Sequence, residues 1–188
     1  MCRCRAGMST SAPSDREPPP ATDAAVDHYP FPPKIWKDPR CIVAFGFGAG
    51  AVPYAPGTLG TLVGVALYWL LAPLAAPWYI GALAILFATG VWVCGHAERV
   101  LGVHDHPGIV WDEIVGYLIT MFLAPAGWLW VVIGFALFRL FDIWKPFPVR
   151  WIERRFRGGI GTMLDDACAG VYAWASLHGL YVVSRLAA

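Results

Sequence analysis

The sequence predicts an all-α, multi-pass membrane protein with about five spans or part-spans joined by short hairpin turns. The composition supports this class, because 57% of the residues are hydrophobic and only 14% are charged. The mean hydropathy is +0.54. No Asp, Glu, Lys or Arg occurs between Cys41 and Ala97, and soluble domains rarely leave so long a stretch uncharged.

The composition also excludes some classes of function. The formal net charge is +1, and no basic stripe interleaved with aromatic residues occurs, so we expect no nucleic-acid partner. The five cysteines form no CxxC pair, which favours a reduced compartment or burial in helices over a disulfide framework. The oligomeric state is left open by the sequence.

Residues 1–36 are predicted to form a disordered tail, and residues 37–188 the helical, membrane-embedded domain. The tail is rich in Pro, Ser and charged residues and contains few apolar side chains that could pack. Arg3 and Arg5 are not followed by an apolar stretch, so the pattern does not indicate a signal peptide.

The first part of the domain is glycine-rich. Gly46, Gly48 and Gly50 interrupt an apolar start, and Pro56–Gly57 is typical of a turn into a helix for which Thr58 would be the N-cap. Free backbone N–H groups at such a helix start can bind an anion, so Thr58 is a candidate phosphate-binding residue. The alternative is close helix packing through small residues.

Five apolar stretches are candidate spans. Uncharged turns near Pro73 and near Pro125 join the first two and the next two as hairpins. The uncharged part of the third stretch covers only about 16 Å at 1.5 Å per residue. Either it begins earlier, with Asp112 and Glu113 in the headgroup region, or the bilayer is thinner there. The stretches are Leu59–Ala76, Trp78–Cys94, Ile114–Ala124, Trp128–Phe141 and Ala167–Leu186.

The basic residues predict the orientation. They concentrate in the tail and in the two longer connections, whereas both hairpin turns have none. The positive-inside rule places the tail and those connections on the cytoplasmic side. Only Arg185, at the far end of the last stretch, departs from this pattern.

The carboxylates after Asp38 lie in or beside the same two connections. Two adjacent pairs, Asp112–Glu113 and Asp165–Asp166, are predicted to begin helices, where the helix dipole favours negative charge. One capping residue would suffice, so a pair at each helix indicates more than capping. Asp142, at the end of the fourth stretch, would be a third contributor. Carboxylates from three helix ends suit Mg²⁺, which prefers oxygen ligands.

Neighbouring residues complete the candidate site. His104, Asp105 and His106 lack the spacing of a zinc motif, so we expect them to orient the loop or the metal ligands. Arg139 lies three residues before Asp142 and shares its helix face. Arginine suits bidentate phosphate binding. The candidate phosphate-binding residues are Arg139, Lys145, Arg150 and Thr58.

These residue types indicate a membrane enzyme acting on an acidic, phosphorylated lipid. A metal-bound water could attack the phosphate, or an aspartyl-phosphate could form, and the sequence leaves both routes open. A CDP-alcohol phosphotransferase is disfavoured because its DGxxAR…GxxxDxxxD motif is absent. A transporter is disfavoured because the charges collect at one face rather than at mid-span. A cysteine nucleophile is disfavoured because no CxxxxxR motif occurs.

Three blocks of sequence occur in order across roughly residues 41–175: GFGAGAVPYAPGTLGT, GVHDHPGIVWDEIVG and FRLFDIWKPFPVRWIERRFRGGIGTMLDDACAG. Together they resemble the phosphatidylglycerophosphatase A family. The resemblance implies an all-helical fold and Mg²⁺-dependent removal of the terminal phosphate from phosphatidylglycerophosphate. The product would be phosphatidylglycerol, formed at the bacterial inner membrane. The residues that match the family's catalytic and metal-binding motifs are Asp112, Glu113, Asp142, Asp165 and Asp166, with Arg139 and Lys145 as the basic members.

Overall fold

The computed structural model describes residues 35–104 and 106–187, without the side chains of Glu153 and Arg154. All regular secondary structure in these residues is helical, which confirms the all-α class. Apart from its last two residues, the predicted tail lies outside the described residues, and the domain boundary after residue 36 stays a prediction. The helices are α1 Pro39–Ala44, α2 Pro56–Leu71, α3 Ala76–Leu101, α4 Trp111–Thr120, α5 Trp128–Trp144, α6 Val149–Arg155 and α7 Gly159–Leu186.

The five predicted apolar stretches correspond to α2, α3, α4, α5 and α7, with changed boundaries. Helix α3 continues past Cys94 to Leu101 and ends at Gly102, whose φ of 72° is the left-handed conformation that closes many helices. Helix α7 begins at Gly159 rather than Ala167, about two turns earlier. The charged connections are therefore shorter than the sequence predicted.

Helix α4 lies at the centre of the domain. Nearly all of its side chains are buried, and it packs against α2, α3, α5 and α7. At 1.5 Å per residue it is about 15 Å long, about half of the hydrocarbon thickness of a bilayer. Glycines let α7 approach it closely, because a Cβ at Gly170 would overlap the carbonyl oxygen of Gly116. Helix α4 is thus a core helix enclosed by longer ones.

Among the described helices, α3 alone meets the length and composition of a membrane span, with a mean hydropathy of 1.8 in its most apolar window. Helix α2 is apolar but shorter. Large apolar side chains are nevertheless exposed on four helices, for example Leu70 on α2, Ile85 on α3, Val132 on α5 and Val183 on α7. These side chains form an apolar surface around the bundle.

The two ends of the bundle differ in chemistry. At one end, which we call the polar end, α2, α4 and α7 begin and α3 and α5 finish, and ion pairs connect these termini. Toward the other end, polar side chains bond to backbone carbonyls: Tyr79 Oη donates to Leu118 at 2.8 Å and Trp174 Nε1 donates to Phe122 at 2.9 Å. The candidate site lies at the polar end.

Candidate active site

Asp112 and Glu113 lie in the first turn of α4, as the sequence predicted. Asp112 is buried, and its Oδ1 accepts a hydrogen bond from the backbone N–H of Glu113 at 3.1 Å. The N-cap is Val110, which has no side-chain oxygen to cap the helix. The carboxylates therefore supply the negative charge that this helix start favours.

Asp165 and Asp166 occupy a different position from the one predicted. Helix α7 begins at Gly159 and has no acidic residue in its first turn, so the prediction that the pair begins the helix was wrong. The helix starts early because Gly159 packs directly on the backbone of Gly95 in α3, where a Cβ would lie 2.5 Å from the Gly95 nitrogen. Helix capping thus does not explain the pair, and both side chains are buried inside the bundle.

Arg139 connects the end of α5 to the start of α4. Its Nη1 lies 2.6 Å from Asp142 Oδ2 and 3.3 Å from Glu113 Oε1. The first contact confirms that Arg139 and Asp142 share a helix face. Nη1 donates both hydrogen bonds, and Nε and Nη2 donate none to another described residue. These remaining N–H groups are available to a phosphate.

Lys145 connects α5 to α7. It ends α5 in the left-handed conformation, with φ 44° and ψ 64°, a conformation that disfavours side chains other than glycine. Its Nζ lies 2.9 Å from Asp165 Oδ2, and the Asp165 side chain is only 5% exposed. The turn at Lys145 therefore directs a cation into the acidic cluster.

Asp166 lies among the other carboxylates. Its Oδ2 is buried and has no hydrogen-bond partner among the described residues. Asp166 lies just before the predicted span at 167–186. Burial raises the pKa of its carboxyl, and the negative charges of the neighbouring carboxylates raise it further; these neighbours are Asp142, Asp112, Asp165 and Glu113. Several carboxylates crowded around one buried carboxyl form a site that a bound cation stabilises.

The start of α2 packs against this cluster. A Cβ at Gly57 would overlap Glu113 Oε1 and lie 2.9 Å from Arg139 Nη1, and a Cβ at Gly60 would lie 2.9 Å from Glu113 Oε2. Thr58 is not the N-cap that the sequence predicted, because α2 begins at Pro56 after the N-cap Ala55. The glycines therefore provide close packing, and phosphate contact by Thr58 stays a prediction.

The remaining predicted site residues that the structure describes make contacts with other groups. Arg150 is exposed on α6 and donates to the carbonyl of Trp144 at 3.5 Å. His104 pairs with Glu98 at 3.2 Å. His106 is buried, and its Nδ1 accepts from the backbone N–H of Gly108 at 3.0 Å. Asp105 lies outside the described residues. Their supporting roles stay predictions.

Glu98 and Thr162 form a contact that the sequence analysis missed. Thr162 Oγ1 donates to Glu98 Oε1 at 2.6 Å, which joins the end of α3 to α7 four residues before Asp166. Both side chains are buried. The available signal was weak: Glu98 is a lone carboxylate at the end of an apolar run, and its partner is distant in sequence.

The arrangement has the donors of an enzyme acting on phosphate esters. Clustered carboxylates bind hard cations, and guanidinium and ammonium groups at their edge bind phosphate. The polar end therefore defines a candidate phosphoryl-transfer site built on helix termini.

Comparison with known proteins identifies the family. The family model for phosphatidylglycerophosphatase A matches residues 42–181. The chain is 41% identical over 144 residues to phosphatidylglycerophosphatase A of Escherichia coli, covering 75% of this chain and 83% of that protein. It is 42% identical over 138 residues to phosphatidylglycerophosphatase A of Haemophilus influenzae, covering 72% of this chain and 85% of that protein. The chain belongs to the phosphatidylglycerophosphatase A family and is a phosphatase.

A third relative carries a different name. A Bacteroides thetaiotaomicron protein, named provisionally as a phosphatidylinositol-3-phosphatase, is 44% identical over 141 residues, covering 71% of this chain and 87% of that protein. No solved structure gives a significant match.

Proposed function

We propose that this protein is a Mg²⁺-dependent, multi-pass membrane enzyme of the bacterial inner membrane that hydrolyses phosphatidylglycerophosphate to phosphatidylglycerol and phosphate. The observation that carries the proposal is the buried carboxylate cluster around Asp166, bordered by the ion-paired cations Arg139 and Lys145. Membership of the phosphatidylglycerophosphatase A family supports the choice of lipid substrate.

The residues at the polar end fit Mg²⁺. The donor set consists of carboxylate oxygens, and Asp166 Oδ2 is a buried oxygen without a partner among the described residues. The residues that would hold the ion are Asp112, Glu113, Asp142, Asp165 and Asp166. When bound, Mg²⁺ supplies Lewis-acid polarisation of a phosphoryl oxygen and lowers the pKa of a coordinated water.

The protein's own groups position the phosphate. Arg139 is held on Glu113 and Asp142 through Nη1, so its Nε and Nη2 can bind non-bridging phosphate oxygens. Lys145 adds a point charge from the α7 side. These fixed cations neutralise charge without reorganising during the reaction. A carboxylate of the cluster then orients the attacking water, and an aspartyl-phosphate is the alternative route.

The proposed membrane placement rests on the apolar surface and on the charge distribution. Helix α3 has the length and composition of a span, and the exposed apolar side chains of α2, α5 and α7 extend its surface. The core helix α4 then reaches only part of the way across the hydrocarbon layer and is enclosed by protein. The polar end faces the cytoplasm, where the basic connections lie.

Phosphate release by the purified protein tests the activity. We expect release from phosphatidylglycerophosphate with Mg²⁺, none in EDTA, and recovery when Mg²⁺ is added back. Phosphatidylinositol 3-phosphate is the comparison substrate, because one relative is named for it. Equal or faster release from that lipid would overturn the substrate assignment, and full activity in EDTA would overturn the metal dependence.

Single introduced cysteines test the topology. Ala126→Cys lies on the exposed turn before α5, and Arg155→Cys lies at the exposed end of α6. Ala126 is preferred over Gly127, whose φ of 122° strains any other residue. In intact cells with the native cysteines replaced, we expect an impermeant reagent to label the first and not the second. Labelling of both would contradict the orientation.

A further inference from the structure

A second cluster of metal-ligating side chains lies outside the acidic site. It contains Asp38, Cys41 and His96, which each offer one ligand atom, and these three atoms lie within 4.8 Å of one another. Asp38 is the N-cap of α1, Cys41 lies on α1, and His96 lies on α3. The cluster therefore bridges two helices rather than lying along one.

The donor types distinguish this cluster from the acidic site. One oxygen, one sulfur and one imidazole nitrogen form a mixed set of the kind that binds zinc-class ions, whereas Mg²⁺ prefers oxygen ligands. In a tetrahedral zinc site, bond lengths of about 2.0–2.3 Å place neighbouring ligand atoms about 3.5 Å apart. Atoms within 4.8 Å of one another can reach that spacing by small side-chain movements.

Existing contacts already orient two of the donors. Asp38 Oδ2 lies 2.6 Å from His96 Nε2, and Asp38 Oδ1 accepts from the backbone N–H of Arg40 at 3.0 Å. The Asp38 and His96 side chains are 22% and 17% exposed, so an ion and a water as fourth ligand can reach them. An Asp–His pair with a helix cap explains these two residues. That pair does not explain why the buried thiol of Cys41 lies beside these two residues.

The position of the cluster gives such an ion a structural consequence. Helix α1 ends at Ala44, whose carbonyl accepts a hydrogen bond from Val110 N–H at 3.0 Å. Val110 is the N-cap of α4 and immediately precedes Trp111 and Asp112. An ion bound between α1 and α3 therefore also fixes the position of α1, to which the N-cap of α4 is hydrogen-bonded.

We propose that Asp38, Cys41 and His96 bind one divalent ion of the zinc class, separately from the acidic site. Binding releases two protons to solvent: the thiol proton of Cys41 and the proton of the hydrogen bond between Asp38 Oδ2 and His96 Nε2, whose place the ion takes. The ion then holds α1 on α3. This proposal does not depend on the proposed lipid substrate or on Mg²⁺.

Cobalt and zinc titration of the full-length protein in detergent tests it. The parent variant carries Cys2→Ser, Cys4→Ser, Cys94→Ala and Cys168→Ala, so that Cys41 is its one remaining thiol. We expect one Zn²⁺ per chain after dialysis, a thiolate-to-cobalt charge-transfer band with Co²⁺, and a higher melting temperature with Zn²⁺. Absence of the band in this folded parent overturns the proposal.

Variants of the cluster assign the ligands. Cys41→Ala should abolish the cobalt band, and His96→Gln and Asp38→Asn should each weaken Zn²⁺ binding at least about 10-fold. Asp166→Asn is the matched control in the acidic site and should leave the band and the Zn²⁺ stoichiometry unchanged. Unchanged Zn²⁺ binding in Cys41→Ala, or loss of the band in Asp166→Asn, places the ion elsewhere and overturns the proposal. Should the parent not fold, the wild-type protein and its Cys41→Ala variant decide by the same band.

Discussion

The two acidic pairs at the polar end share a sequence pattern but occupy different positions on their helices. In each pair the first carboxylate accepts a hydrogen bond from the backbone N–H of the second, at 3.1 Å for Asp112–Glu113 and 3.0 Å for Asp165–Asp166. The first pair lies in the opening turn of α4. The second lies inside α7, beyond its first turn.

This difference separates two reasons for placing a carboxylate on a helix. In the first turn of α4, the helix dipole offsets part of the cost of the buried charge. Inside α7 that contribution is lost, because the dipole acts mainly within the first and last turns. Lys145 pairs with Asp165, while Asp166 Oδ2 has no partner among the described residues. The second pair is therefore costly for folding, which supports the proposal that it serves the active site.

The largest expected effect is that of Asp166→Asn. The substitution keeps the size of the side chain and removes one charge from a crowded cluster, so we expect the melting temperature in detergent without Mg²⁺ to rise. Activity should fall by about 10²-fold or more, the scale of losing a key electrostatic contact. The measurements are thermal unfolding and phosphate release, with Glu153→Gln on α6 as the control that should change neither.

Asp112→Asn gives the contrast. It should also lower activity, but it removes a charge that the α4 dipole favours, so stability should fall by about 0.3–1 kcal/mol. Opposite signs of the stability change in the two variants would support the distinction between the pairs. A loss of stability in Asp166→Asn would contradict it.

Arg139 should give the next largest effect. Arg139→Met leaves Glu113 and Asp142 without their shared cation, and breaking a buried pair costs about 3–5 kcal/mol. The three side chains are 13–19% exposed, so we expect the lower part of that range. Activity should fall by about 10²-fold.

A second substitution separates folding from catalysis at this position. Asp142→Asn in the Arg139→Met background removes one uncompensated charge and should restore part of the stability, without restoring activity. Recovery of both would show that Arg139 acts only in folding. Arg139→Lys keeps the charge but loses the forked geometry, so it should fold normally with an intermediate rate.

The sequence predicted the features that depend on local periodicity. Hydrophobic runs located the helices α2, α3, α4, α5 and α7, and helical spacing placed Arg139 beside Asp142, which the 2.6 Å contact confirms. The start of α7 was missed because glycine has low helix propensity, so the GGIG segment favours a loop. Packing of Gly159 on Gly95 overrides that propensity.

Contacts between distant parts of the chain could not be predicted in the same way. Lys145 and Asp165 meet only because α5 and α7 lie side by side, and the Glu98–Thr162 bond requires the end of α3 to reach α7. Helix periodicity says which face a residue occupies but not which helix packs against it. The candidate carboxylates were therefore identified from the sequence, whereas their partners required the fold.

Gly57→Ala should lower the rate by an intermediate amount. Gly57→Ala introduces a Cβ that overlaps Glu113 Oε1 and crowds Arg139 Nη1, so the first pair must move while the second is untouched. Since the overlapping atom ends a flexible side chain, we expect the protein to fold and the rate to fall about 10-fold, the scale of 1.4 kcal/mol. Gly81→Ala on α3 is the matched control, because nothing lies within 4 Å of its Cβ. Equal rates in the two variants would contradict a role for this packing.

The smallest expected effect on the rate is that of Thr162→Val. This variant tests whether the Glu98–Thr162 hydrogen bond stabilises the part of α7 that carries Asp165 and Asp166. The substitution keeps the branched shape and removes the hydroxyl that donates to Glu98 Oε1 at 2.6 Å. Glu98 also pairs with His104, so its carboxylate keeps one partner. We expect a loss of about 1–3 kcal/mol of stability, the cost of removing one partner of a buried hydrogen bond. The rate should fall only a few-fold, because Asp166 keeps its own surroundings.

Thr162→Ser restores the donor and should recover most of the stability in chemical unfolding. A rate loss as large as that of Asp166→Asn, with normal stability, would instead place Thr162 in direct contact with the reacting groups.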